Sequence, residues 1–139
     1  MQEEEFVFTV QRHANIESDD DAYAATTATL RTLGERITRG EAEDIASQLP
    51  ATLENALTDP NDERPEAEEF PVDEFVERVE ERERDRIEEA TIDGGLHAQA
   101  VTTTLGEAVS GGELDNAREQ LPEEFEELFE PVDMSEEQF

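Results

Sequence analysis

Apolar side chains recur every three or four positions through most of the chain, with polar and acidic residues between them, the pattern of helices buried on one face. Phe6 and Val10 mark a short first helix. Asp19, Asp20 and Asp21 suit the start of a second, whose inner face is Tyr23, Thr27, Leu30, Leu33 and Ile37. Ala42, Ile45 and Leu49 follow at the same spacing, and Leu53, Ala56 and Leu57 continue it beyond Pro50. Proline at a first helical position loses no amide bond, so Leu49-Pro50 is expected to restart a helix at a new angle. The pattern returns in Phe75, Val76 and Val79, in Ala98, Val101, Leu105 and Val109, and in Leu114, Ala117 and Leu121. Pro122 then precedes Phe125, Leu128 and Phe129. Alternating β-branched stretches and Asn-Gly turns are missing, so the expected fold class is all-α.

The pattern is also duplicated. At a shift of 72 residues, positions 28–57 align with 100–129 without a gap, and eleven of the thirty pairs are identical. They include Leu33/Leu105, Gly34/Gly106, Glu35/Glu107 and the triplet Gln48-Leu49-Pro50 with Gln120-Leu121-Pro122. Phe6-Val7-x-x-Val10 matches Phe75-Val76-x-x-Val79 at a shift of 69. Thr38-Arg39-Gly40-Glu41 and Ser110-Gly111-Gly112-Glu113 both read as capping boxes, in which Glu41 or Glu113 reaches back to the amide of Thr38 or Ser110. The organisation expected is helical repeat one over 3–58, a proline- and acid-rich connector over 59–72, repeat two over 73–131 and a tail over 132–139. Each repeat has about a dozen good core positions, too few for a stable domain alone. The two are therefore expected to pack as one domain with pseudo-two-fold symmetry.

Charge narrows the class of protein. There are 40 acidic residues, ten arginines and no lysine, a net charge of −30. The excess is even: 18 acids and five arginines in residues 1–69, 22 and five in 70–139. Such self-repulsion opposes compaction in dilute buffer, but molar salt shortens the screening length to about 3 Å and removes most of it. Even acidity without lysine points to a haloarchaeal cytoplasm, with diffuse cations at the surface. Helical periodicity argues against disorder. Arg78, Arg82, Arg84 and Arg86 are interleaved with acids, as on a salt-bridged helix face with Glu74–Arg78 and Glu80–Arg84 in register, so nucleic acid is not an expected partner. No apolar run is long enough for a membrane span, and Met1-Gln2-Glu3-Glu4-Glu5 has neither the basic nor the apolar part of a signal peptide. With no cysteine, disulfides and thiolate chemistry are excluded.

Candidate chemistry is sparse. Glu35 and Glu107 are duplicated and could form an acid–base pair if one were buried, but a surface role is the simpler reading. His13 and His97 lack metal-ligand spacing, and Asp59-Pro60-Asn61-Asp62-Glu63 lacks the glycine and final carboxylate of a calcium loop. Gly94-Gly95 and Gly111-Gly112 lack a phosphate-loop lysine and read as turns. Gln48 and Gln120 are placed to satisfy backbone groups where a helix breaks, or to act at the repeat interface. No cofactor is implied, and the chain does not read as an enzyme.

The pieces Phe6–Val10, Ala22–Ile37, Gly40–Pro50, Phe75–Val79 and Gly112–Pro122 resemble the uncharacterised family called domain of unknown function 2267, over residues 3–131. The resemblance implies an all-α fold and carries over no activity and no catalytic residue. The expected function is a non-catalytic helical module for protein interaction or self-association. Its candidate contact residues are Phe8, Phe70, Phe125 and Phe129. Phe8 leads, because Phe6 and Val10 already define one face of their helix and Phe8 points elsewhere. A contiguous apolar patch is expected with it. The alternatives are a small-ligand binder or enzyme with a buried carboxylate, and an acidic decoy for a basic protein.

Overall fold

The computed structural model describes residues 2–61, 66–86, 93–109 and 111–129, apart from the side chains of Asn61 and Glu113. These residues form helices and connecting turns, with no strand among them. The helices are α1 (Glu3–Ala14), α2 (Asp19–Arg36), α3 (Arg39–Ala46), α4 (Ala51–Thr58), α5 (Val72–Arg84), α6 (Gly94–Ala108), α7 (Gly111–Glu119) and α8 (Glu126–Phe129). Short 3₁₀ turns at Asp59–Asn61 and Glu123–Phe125 extend α4 and lead into α8.

α2 is the central element, packed by α1, α4, α5 and α6. A helix enclosed on so many sides needs small side chains, and α2 has them: Ala22, Ala24, Ala25, Thr26, Thr27, Ala28 and Thr29 are all buried. Its buried hydroxyls are mostly satisfied within the helix, Thr26 and Thr32 donating at 2.8 Å to the carbonyls of Ala22 and Ala28. Gly34 is required by the approach of α4, since a Cβ there would stand 2.1 Å from the carbonyl oxygen of Leu57. The aligned Gly106 has no such neighbour; its nearest would be Leu114 Cδ2 at 3.7 Å.

One core cluster runs through the described residues, from Phe6 and Val10 through Leu33, Ile37 and Leu53 to Phe75, Leu105 and Phe125. α1 packs on α6 as well as on α2, α5 packs on α2 as well as on α6, and α3 meets α7. The chain segments before and after the connector therefore share one interior. Within the connector, Phe70 is 5% exposed and stacks on Phe75, and the amide of Glu68 donates to the carbonyl of Glu35 at 2.8 Å. The tail over 132–139 lies outside the described residues.

Two local expectations need correction. Pro50 and Pro122 stand one residue before their helical turns, as N-caps with φ −58° and −60°. Their carbonyls accept from Leu53 and Phe125, and with ψ of 148° and 158° each proline is extended backbone from which a new helical turn starts. At α3, Thr38 Oγ1 accepts from Glu41 N at 3.5 Å, half of a capping box. The amide of Thr38 is instead taken by Oε1 of Gln120 at 3.0 Å, and Gln120 Nε2 donates to Thr38 Oγ1 at 3.2 Å. A side chain 82 residues away thus does the work expected of Glu41. Ser110 and the Glu113 side chain, the corresponding cap, lie outside the described residues.

Candidate functional site

α1 turns Phe6, Val10 and Ala14 inward at a four-residue spacing, and Phe8 is left on the opposite side. It is 58% exposed, the one large apolar side chain so exposed among the described residues. α1 ends at Asn15, whose φ of 57° is a left-handed cap, and Gln11 Nε2 reaches the carbonyls of Ile16 and Glu17 at 3.4 Å. Ser18 Oγ then accepts from Asp21 N at 3.3 Å and starts α2, whose positive N-terminal end favours its three aspartates. This tight turn sets the first turn of α2 against the outer side of α1. A groove of about 530 Å³ results, with Val7, Phe8 and Tyr23 as its apolar part and Glu3, Glu4, Asp19 and Asp20 as its acidic part. None of these four carboxylates is ion-paired among the described residues. The guanidinium of Arg86 lies 5.5 Å from the Tyr23 ring, a cation held on an aromatic face beside the groove.

The other expected contact residues are placed differently. Phe70 and Phe125 belong to the core and are corrected from surface to packing residues: Phe75 lies between them, stacked on Phe70 and edge-on to Phe125 at 5.8 Å. Phe129 is partly buried against the core, under Arg118 at 5.2 Å. The apolar surface is therefore a single aromatic in a groove, narrower than the contiguous patch expected. Leu49 is buried and Leu121 partly so, where α3 and α7 end.

The duplicated glutamates do not form a pair. Glu35 is held by Arg82 Nη1 at 2.8 Å and Arg78 Nη1 at 3.4 Å. Arg78 also bonds Glu68 and Glu74 and lies over the Phe70 ring at 3.9 Å. The hydrogen bond to Glu68 leads the interactions that raise the Arg78 pKa above its ordinary value. Glu107 is half exposed and faces His13 Nε2 at 3.8 Å. Both expected i,i+4 pairs, Glu74–Arg78 and Glu80–Arg84, are present.

Sequence reasoning missed the one fully buried carboxylate among the described residues. Glu83 has no exposed surface; its Oε2 lies 2.6 Å from His97 Nδ1, and its Oε1 has no hydrogen-bond partner among the described residues. The pair ties α5 to α6. The signal was the i, i+4, i+8 series Phe75, Val79, Glu83 on the core face of α5, hidden among surrounding acids. Among the described residues no three His, Asp or Glu side chains converge as metal ligands would, and no helix is long and apolar enough to cross a membrane.

These features define an all-helical protein whose described residues include an exposed aromatic groove and a buried carboxylate–imidazole pair. The chain belongs to the family described as uncharacterized conserved protein (DUF2267), which matches residues 3–128. No curated protein is similar enough to match it.

Proposed function

We propose that the protein is a non-catalytic interaction module, that the α1–α2 groove around Phe8 is its docking surface, and that the segment it takes is basic and amphipathic. The exposure of Phe8 carries this reading: covering a large apolar side chain is worth about 1.5–3 kcal/mol, and a buried aromatic anchor commonly dominates an interface. Four carboxylates around it favour arginine or lysine beside the partner's apolar residues. In molar salt the charge attraction acts only at contact, so Phe8 supplies affinity and the acids supply orientation.

The test is fluorescence anisotropy at molar KCl with three labelled peptides: an arginine–leucine amphipathic helix, its glutamate–leucine counterpart and oligo-arginine. The first is expected to bind, with affinity falling about tenfold in Phe8→Ser. Equal binding of oligo-arginine would favour the acidic-decoy alternative instead.

The same reading includes the duplication. Burial of the aligned pairs Leu33/Leu105, Ile37/Val109 and Leu53/Phe125 supports two repeats sharing a pseudo-symmetric core. Even acidity with ten arginines and no lysine supports a cytoplasmic protein of a salt-accumulating archaeon. Circular dichroism is expected to show helix at molar KCl and its loss in dilute buffer; equal helicity in both would remove the halophile argument.

A second reading, a ligand site built on a buried carboxylate, now rests on Glu83 with His97 rather than on Glu35 or Glu107. It requires Glu83→Gln to alter ligand binding without altering the fold.

A further inference from the structure

Arg36 ends α2 and is 5% exposed. Its Nε donates to the carbonyl of Phe70 at 2.9 Å, and its guanidinium lies 5.6 Å from the Phe70 ring and 5.2 Å from that of Phe125. An interior arginine is ordinarily paired with a carboxylate. Here the terminal nitrogens make no hydrogen bond to the described residues; Glu69 and Glu124 act on the guanidinium only through their charge, and Arg36 lines a recess of about 520 Å³. Pro71, Leu121 and Pro122 give that recess apolar walls, while Glu69 and Glu124 bring carboxylates to it. Glu124 is fixed there by accepting from Val72 N at 2.8 Å.

Charge selects the ligand. A simple anion drawn to Arg36 meets two carboxylates on a chain of net charge −30, and a simple cation drawn to the carboxylates meets Arg36. A molecule carrying both charges close together satisfies all three groups. Guanidinium binds carboxylate with two parallel hydrogen bonds, and the apolar walls suit an aliphatic body. We propose that this recess binds a small aliphatic zwitterion of the α-amino acid class, its carboxylate on Arg36 and its ammonium toward Glu69 and Glu124. The site is separate from the Phe8 groove, and the Leu121-Pro122 part of the duplicated triplet forms one of its walls.

The experiment uses the full chain in molar KCl and three probes with the same branched side chain: L-leucine, 4-methylpentanoate and 3-methylbutylamine. Saturation-transfer NMR titrations give the affinities. Leucine is expected to bind at least about tenfold more tightly than either singly charged probe. Arg36→Lys keeps the positive charge but loses the planar fork, and is expected to abolish leucine binding. Glu69→Gln lies at an exposed position outside the core, so it tests the site even if the arginine variant fails to fold. It is expected to weaken leucine about threefold and to leave 4-methylpentanoate unchanged or tighter. Absence of leucine binding, equal binding of 4-methylpentanoate, or leucine binding indifferent to Glu69→Gln would each overturn the proposal.

Discussion

The two ends of α2, about 27 Å apart along an 18-residue helix, are built to opposite purposes. At the C-terminal end the chain is enclosed: Gly34 touches the backbone of α4, the carbonyl of Glu35 receives the Glu68 amide, and Arg36 and Ile37 are buried. At the N-terminal end Asp19 and Asp20 are exposed beside Phe8, and no cation is ion-paired with them among the described residues. Apart from the terminal nitrogens of Arg36, one end commits its groups to the fold, and the other leaves acidic and aromatic groups facing solvent. Substitutions at the first, Arg36 aside, should therefore cost stability, and substitutions at the second should cost peptide binding alone.

The largest effect is expected at Gly34. Gly34→Ala drives a methyl into the carbonyl of Leu57 and should destabilise by about 3 kcal/mol in urea unfolding at molar salt. Gln120→Ala comes next, with a loss of about 1–2 kcal/mol, because the Thr38 amide and hydroxyl lose their partner from the far side of the molecule. Gly106→Ala, at the position aligned with Gly34, should have the opposite sign, a gain of about 0.5–1 kcal/mol, since it replaces an exposed glycine inside α6 with a better helix former. If both glycine variants lost stability equally, the contrast in packing between the two positions would be wrong. Phe8→Ser should shift stability least, by within about 0.5 kcal/mol, while losing most of the peptide binding.

Much of this arrangement was legible in the order of residue types. Helix positions followed from the apolar spacing, and the start of α2 at its three aspartates, the Thr38 cap and the outward direction of Phe8 followed from local geometry. What escaped were features made by partners distant in sequence. Gln120 was expected to satisfy a backbone group or act between the repeats, but not with Thr38 as its partner; Arg36 under Phe70 and His97 at Glu83 likewise join separate helices or loops. Arg36 reads locally as a surface residue at a helix end, and Phe70 as part of a polar connector; only when α2 and α5 pack together do both become interior. Glu83 was obscured for another reason. Its place on the apolar stripe of α5 was readable, but in so acidic a segment a glutamate there looks like one more solvated charge.

The central claim is that docking occurs at the Phe8 end of α2. Amide chemical-shift mapping of the labelled protein with the arginine–leucine peptide at molar KCl tests it most directly. The account predicts shifts concentrated at Val7, Phe8, Gln11 and Tyr23, with Gly34 to Ile37 unmoved. Shifts spread evenly over acidic positions, or centred on the Arg36 end, would contradict it.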